Sequence, residues 1–389
     1  MHQEIWLLLF FLAIAIGYGL GRHSRRRRHR DRMERLSDHY MRGLNFLLNE
    51  QPDKAVDIFV NSLTVNAETI DTHLGLARLF RRRGELDRAT RIHSHLLTQS
   101  DLPDQVREDV ELELARDYIA AGLLDRAELI LQEMLERGTR HHHQAMKHLM
   151  SIFEQERDWH NALAVGERLL QHDSSVGSVL AHYCCELASA LKGEAQYNAA
   201  RRTLRRALDF DPRCVRASMQ MGRLEMQAQQ WEDAIRAFRR VRRQDPEFFS
   251  EVLDELEQCY VALNRGEQLD RLLAKWALDR PSTPLVLKLA ERLRGRYGDK
   301  AASTFIADYM KAHPTVRGLN RIVEMNIQST EGVAREHFGI LQRLTEQLMS
   351  EQSIYQCGHC GFDAHQMHWQ CPSCKQWGSL RPLQHQGSH

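Results

Sequence analysis

Four of the chain's eight cysteines crowd into eighteen residues near its end, as Cys357-x2-Cys360, ten residues, then Cys371-x2-Cys374. Each C-x-x-C turn offers two thiolates about one turn apart with backbone amides aimed at the sulfurs, so the pair supplies four soft ligands in tetrahedral arrangement. Gly361 after the first turn and Pro372 inside the second suit tight metal-binding turns, because glycine accepts a positive φ and proline fixes its own. The expected cofactor is one metal ion, zinc or iron. An all-sulfur site accepts both, and cytosolic supply favours zinc. With all four positions taken by protein, no place is left for a catalytic water, and the site reads as structural. The competing reading, a thiol redox pair, fits two such turns in series less well. A segment this short cannot fold on apolar burial alone, so the metal should supply most of its stability. Trp369, Trp377, Tyr355 and Phe362 are available to pack over it.

The pairs C-x-x-C-G and C-P-x-C resemble rubredoxin and zinc-ribbon modules, although the ten-residue separation is shorter than in either. From Ile354 onward the only basic residues besides histidine are Lys375 and Arg381, which argues against nucleic acid as a partner. His141, His142 and His143 with His148 point in different directions on a helix and read as a solvated turn. Cys184 and Cys185 read as core cysteines. No phosphate-cradling glycine loop, no H-E-x-x-H and no G-x-S-x-G is present. The chain is therefore not expected to be an enzyme.

What positions the cysteines is a much longer segment. With 389 residues, 42% apolar and 27% charged, the chain is too long for one compact core and normally globular in composition. Only 9 prolines and 22 glycines leave little material for the turns of a sandwich, barrel or propeller, so the bulk should be helical. Small residues recur at Ala55, Ala89, Ala127, Ala162, Ala200, Ala234 and Ala302, with intervals of 34, 38, 35, 38, 34 and 68. Twelve residues before most of them stands another, at Gly43, Ala77, Ala115, Ala188, Gly222 and Ala290. Small side chains at facing positions let two antiparallel helices approach, and large residues three to four places on fill the space beside them. Phe46, Phe80, Tyr118 and Phe153 do so on first helices, and Phe59, Leu131, Leu204 and Phe238 on second helices. Gly84 and Gly122 mark turns, and Pro212, Pro246 and Pro314 close units. The order and length resemble the tetratricopeptide repeat. Six clear units run from about 37 to 246, a degenerate one occupies 251 to 281, and another spans 284 to 314.

Ahead of the repeats, Ile5 to Leu20 form an uncharged apolar run whose helix of roughly 24 Å just approaches the ~30 Å hydrocarbon core. Residues 22 to 35 then carry eight arginines against Asp31 and Glu34, a local +6 within a formal total of +1, which leaves about −5 for the rest. A basic block after the apolar run, not before it, argues for an uncleaved anchor with its N-terminus outside and the bulk of the chain cytoplasmic. Gly17 and Gly21 form a G-x-x-x-G pair that would let a second membrane helix approach, as in a homo-oligomer.

The expected plan is all-α: a transmembrane anchor at 1–21, a basic linker at 22–36, a tetratricopeptide-repeat superhelix at 37–314, capping helices at 315–350 and a small metal module at 351–389. Such arrays bind extended peptides or partner domains on the face built from first helices. Projection onto that face selects Arg78, Arg81, Arg116, Met219, Arg223 and Met226 as candidate partner-binding residues. The order anchor, arginine block, repeat array and four-cysteine module resembles the lipopolysaccharide assembly protein B family of Gram-negative bacteria. The resemblance implies an inner-membrane adaptor facing the cytoplasm, with its metal held by Cys357, Cys360, Cys371 and Cys374. It also implies delivery of the lipid A pathway UDP-acyl-N-acetylglucosamine deacetylase to a membrane-anchored AAA+ protease. A second inner-membrane regulator that senses lipopolysaccharide would restrain that delivery. The rival is a non-proteolytic scaffold for synthesis and export proteins.

Overall fold

The structure, a computed structural model, describes residues 41–43, 45–46, 52–61, 69–100, 102–351 and 353–383. The apolar run at 5–20 with Gly17 and Gly21, and the arginine block, lie outside them. Among the described residues no helix is long and apolar enough to cross a membrane. The chain divides into two compact units, residues 1–156 and 157–389.

The first unit holds α1 (Pro52–Asn61), α2 (Ile70–Arg82), α3 (Leu86–Leu97), α4 (Asp104–Ala120), α5 (Leu124–Glu136) and α6 (His142–Glu156). The second begins with α7 (Trp159–Leu170) and α8 (Gly177–Gly193), followed by α9 (Tyr197–Phe210), α10 (Val215–Gln227), α11 (Trp231–Gln244), α12 (Leu253–Ala262) and α13 (Gly266–Asp279). It continues through α14 (Thr283–Tyr297), α15 (Asp299–Ala312), α16 (Val316–Ser329) and α17 (Val333–Glu351) into three short strands.

The columns of small residues are the spine of both units. Ala77, Ala89, Ala115 and Ala127 in the first, and Ala162, Ala234, Ala290 and Ala302 in the second, have no exposed surface at all. At one crossing the fit is quantifiable: a Cβ placed on Gly222 of α10 would lie 2.3 Å from the Phe238 ring of α11, so the ring occupies the space glycine vacates. Phe80, Leu131, Leu204 and Phe238 are buried beside these columns as the spacing requires, while Tyr118 is half-buried under the Arg126 guanidinium. The side chain of Phe59 lies outside the described residues.

The turns inside the hairpins follow one geometry. Gly84 and Gly122 take positive φ, and the amide three places after the helix reaches back to a carbonyl of its last turn, as in Leu123 N to Tyr118 O at 2.9 Å. The equivalent turns later in the chain place Ala195, Gln229 and Asn264 in the same left-handed region, with the same reach-back from Gln196, Gln230 and Arg265. The degenerate unit has a physical cause. Pro246 opens a 3-10 turn, Pro246–Val252, whose Phe248, Phe249 and Val252 are buried where the first turns of a first helix would lie, and α12 is correspondingly short.

Gly222→Ala should cost about 1–3 kcal/mol through overpacking against Phe238. Gly295→Ala, at a helical glycine with nothing near its Cβ position, should gain about 0.5–1 kcal/mol. Thermal unfolding followed by circular dichroism reads both, and equal shifts of one sign would remove the steric argument.

Candidate metal centre and docking surface

The chain's last described segment is a three-stranded antiparallel sheet ordered β2-β1-β3, with β1 Tyr355–Cys357, β2 Asp363–Ala364 and β3 Leu380–Pro382. Cys357 ends β1 opposite Leu380, and the chain then turns so that the Gly361 amide bonds back to the Cys357 carbonyl at 2.9 Å with φ +75°. The second turn repeats this: Lys375 N reaches Cys371 O at 2.9 Å, and Lys375 takes φ 59° without being glycine. The four sulfurs converge, all within 4.8 Å of one another. Cys357 Sγ lies 3.8 Å from Cys374 Sγ, and Cys360 Sγ lies 3.7 Å from Cys371 Sγ. An ion bound tetrahedrally by sulfurs at ~2.3 Å requires edges of about 3.8 Å, so the thiols stand where one such ion would hold them.

The surroundings favour thiolate at Cys357 and oppose it at Cys374. The Ser379 hydroxyl, 3.3 Å from Cys357 Sγ, pulls that thiol down to about 6, assisted by backbone amides such as His359 N at 3.4 Å. At Cys374 the Gln376 amide works in the same direction, but desolvation and the three neighbouring thiols outweigh it and push the group up to about 11. A bound cation removes that mutual opposition, because coordination replaces the shared protons.

The module does not stand free. Trp377 stacks on His182 of α8 at 5.3 Å and 25°, and meets Tyr183 edge-on at 5.9 Å. Trp369 lies nearly parallel to Phe248 at 5.7 Å. The Arg216 guanidinium of α10 sits 5.7 Å from the Trp369 ring and 6.0 Å from the Trp377 ring, while its Nη2 donates to Glu186 at 2.8 Å. Its Nε and Nη1 are buried without hydrogen-bond partners, so the π faces take the place of acceptors. Gly378 takes φ +61° and passes so close that a Cβ there would sit 2.9 Å from His182 Nε2. The Tyr355 hydroxyl donates to Glu251 at 3.0 Å, and Arg381 pairs with Asp245. The two tryptophans expected over the metal thus turn outward onto the helices, while Phe362 stays against the module's small core. Burial, with the nearby Arg216 charge, lowers His182 to about 3, so it is neutral when packed.

The candidate partner-binding residues fall three to each unit. Arg78, Arg81 and Arg116 converge on Glu113 of α4, which is almost fully buried, with distances of 3.1, 2.6 and 2.8 Å. Arg81 also reaches Asp117 at 2.8 Å, and Asp117 in turn holds His93, both wholly buried. Burial opposes charge at Glu113, yet the Arg81 hydrogen bond and the three guanidinium charges together hold its carboxyl below the usual range. Arg116 also donates to His148 and Gln144 on α6. Arg223 is 45% exposed and pairs with Glu255 at 3.0 Å. Met226 packs partly buried beside the core of the second unit, and Met219, only 4% exposed, lies inside that core. Glu113, Asp117, His93, Arg216 and His182 escaped the sequence reading, because helical spacing does not tell a buried polar residue from a solvated one.

Stacked helical hairpins finished by a closed four-thiolate site define a tetratricopeptide-repeat protein carrying a rubredoxin-like metal module, able to bind one metal ion. Residues 355–382 match the rubredoxin metal binding domain family and residues 191–254 match the tetratricopeptide repeat family. The chain is 34% identical over 382 residues to lipopolysaccharide assembly protein B of Escherichia coli (strain K12), covering 98% of each chain. It is 31% identical over 393 residues to the protein of the same name from Haemophilus influenzae, covering 98% of this chain and 99% of that one. The chain belongs to the lipopolysaccharide assembly protein B family. Among solved structures, that of MamA aligns at 17% identity over 47% of this chain and 95% of its own, with a TM-score of 0.34.

Cys371→Ser should abolish stoichiometric metal binding and disorder the small sheet while leaving the helical signal intact. Arg216→Ala should retain one metal per chain yet weaken docking by about 2 kcal/mol. Metal analysis beside tryptophan fluorescence separates the two effects, and metal loss in Arg216→Ala would contradict the assignment. A second test uses pH. The unfolded chain takes up a proton at His182 near pH 6.5 and the packed chain does not until about 3. Stability should therefore be unaffected above 6.5 and fall as pH drops below it, by up to about 1.4 kcal/mol per unit. His182→Phe should lessen that slope in denaturant titrations between those limits.

Proposed function

We propose that this chain is a membrane-tethered, non-enzymatic adaptor that regulates lipopolysaccharide biosynthesis. In this reading residues 1–21 anchor it in the inner membrane with the N-terminus periplasmic, and residues 22–36 lie against the cytoplasmic leaflet. The repeats at 37–314, capped by 315–350, hold a client, and 351–389 form the metal module. The client is the lipid A pathway deacetylase, which the adaptor presents to a membrane-anchored AAA+ protease under restraint from an inner-membrane regulator and lipopolysaccharide.

The observation that carries this reading is near full-length similarity to proteins named lipopolysaccharide assembly protein B, joined to a site without an open coordination position. A repeat array with no exchangeable ligand suits holding more than turnover. Tethering adaptor and protease in one membrane raises their effective concentration, which can replace tight contacts. The proposed client-facing positions are Arg78, Arg81 and Arg116 in the first unit and Met219, Arg223 and Met226 in the second. Gly17 and Gly21 are the proposed contact to a second membrane helix, whether of a homo-oligomer or of the regulator.

Deleting residues 1–21 should leave a folded, metal-loaded protein that no longer shortens the deacetylase's cellular half-life. Full activity of the shortened protein would defeat the tethering argument. An unchanged half-life when the whole protein is absent would favour instead a scaffold that assembles synthesis and export proteins without degradation.

A further inference from the structure

The second helices α9 and α11 carry nine arginines against three carboxylates, Asp209, Glu232 and Asp233. This local +6 stands out against the rest of the chain, which sums to about −11 once the equal charge of residues 22 to 35 is also set aside. Each helix buries one apolar stripe, Ala200, Leu204 and Ala207 on α9 and Ala234, Ile235, Phe238 and Val241 on α11. The opposite stripes expose Arg202, Arg205 and Arg206 on α9 and Arg236, Arg239, Arg240 and Arg243 on α11. The 34-residue period places Arg202 over Arg236, Arg205 over Arg239 and Arg206 over Arg240, so the repeat itself aligns the two rows.

Ion pairing explains few of them. Arg206 is matched by Glu167 and Arg236 by Asp233, but Arg202, Arg205, Arg239, Arg240 and Arg243 form no ion pair among the described residues, and Asp209 is the one carboxylate on the exposed stripe of α9. The contrast with the first-helix side is sharp. There Arg78, Arg81 and Arg116 all pair with Glu113, Arg81 also with Asp117, and Arg223 pairs with Glu255. Five like charges left unpaired repel one another, and an external anionic surface would relieve that repulsion.

We infer that this arginine strip on α9 and α11 is a docking surface for the anionic phospholipid headgroups of the cytoplasmic leaflet. The inference rests on the membrane-tethered reading above, because an apolar run followed by eight arginines at 22 to 35 would deliver the chain to such a surface. The occupant is argued from charge complementarity and from that delivery. Arginine is suited to the role, since its weakly hydrated planar fork meets phosphate oxygens bidentately. Docked in this way, the second helices would face the bilayer and leave the first helices free for protein.

The test reconstitutes the full chain into vesicles of phosphatidylcholine alone or mixed with phosphatidylglycerol, and reads phenylglyoxal modification of each arginine by mass spectrometry. Arg202, Arg205, Arg239, Arg240 and Arg243 should react about fivefold more slowly on the anionic vesicles, the factor that about 1 kcal/mol per basic residue corresponds to. High salt should remove the protection, and exposed Arg335 on α17 should keep its rate throughout. Equal rates on the two vesicles, with the chain bound to both, would overturn the strip and leave the anchor standing. Binding to anionic vesicles alone, with the five protected, would support the strip and sink the anchor. Binding to neither would overturn both. Protection by an added oligonucleotide or acidic polypeptide but not by phosphatidylglycerol would also overturn it. The triple variant R239E/R240E/R243E, checked for native helicity, should lose protection at Arg202 and Arg205; retention there would count against the proposal.

Discussion

Two helices can pack at close range only where one presents a side chain no larger than a methyl to receive the other's bulk, and the array depends on that condition being met in hairpin after hairpin. Where Gly222 meets Phe238 even a methyl is too much. A shift of either helix by one residue would rotate the small position out of the crossing by about 100° and put a long side chain in its place, so the condition fixes rotation as well as distance. Fixed rotation has consequences far from the crossing. It decides that Glu113 points inward between three arginines, and that Arg216 and His182 rise from neighbouring first helices at the height of two tryptophans.

The metal module depends on the same register. Strands of three, two and three residues cannot enclose a core, and the buried apolar set there is five residues, two of them cysteines. The four-sulfur centre closes the loops, and the helices supply the remaining burial through Phe248, Tyr183 and the Arg216 guanidinium. Arginine tolerates that position because its charge is delocalised and its faces stack; a lysine ammonium would need three acceptors where two rings stand. His182 can share the site only while uncharged, since a second cation beside Arg216 would be unopposed.

The sequence revealed those features that rest on a single residue's sterics or on its unique chemistry. Alanine columns and cysteine spacing are of that kind. Gly84 and Gly122 announced their turns, whereas Ala195, Gln229, Asn264 and Lys375 adopt the same left-handed conformation without glycine, at about 1–2 kcal/mol each, because the flanking helices or the clasped sulfurs impose it. The docking of Trp369 and Trp377 was illegible for a different reason. It joins residues far apart in sequence, and an aromatic near a metal turn carries no mark of whether it will cover the ion or face a helix. Glu113 and Asp117 were hidden too, since a polar residue on an amphipathic helix is assigned to solvent until a neighbour's arginine is known to meet it.

Ion pairs link successive hairpins of the second unit on the first-helix side, and they constrain how that side could hold a client. Successive first helices are bridged by opposite charges roughly one repeat apart: Arg223 to Glu255, Lys288 to Asp254 and Glu257, Arg321 to Glu291. Half-exposed pairs of this sort contribute about 0–1 kcal/mol, so an incoming carboxylate could displace Glu255 from Arg223 at little cost and with little net gain. The cluster at Glu113 behaves otherwise. Withdrawing Arg81 would take from two buried carboxylates their most buried guanidinium, leaving Glu113 to the more exposed Arg78 and Arg116 and Asp117 to His93, so Arg81 is committed to the fold while Arg78, 47% exposed, retains freedom to exchange. Exchange at the exposed pairs alone yields selectivity for acidic sequences with little affinity, and affinity would then have to come from apolar contacts near Met226 or from co-localisation.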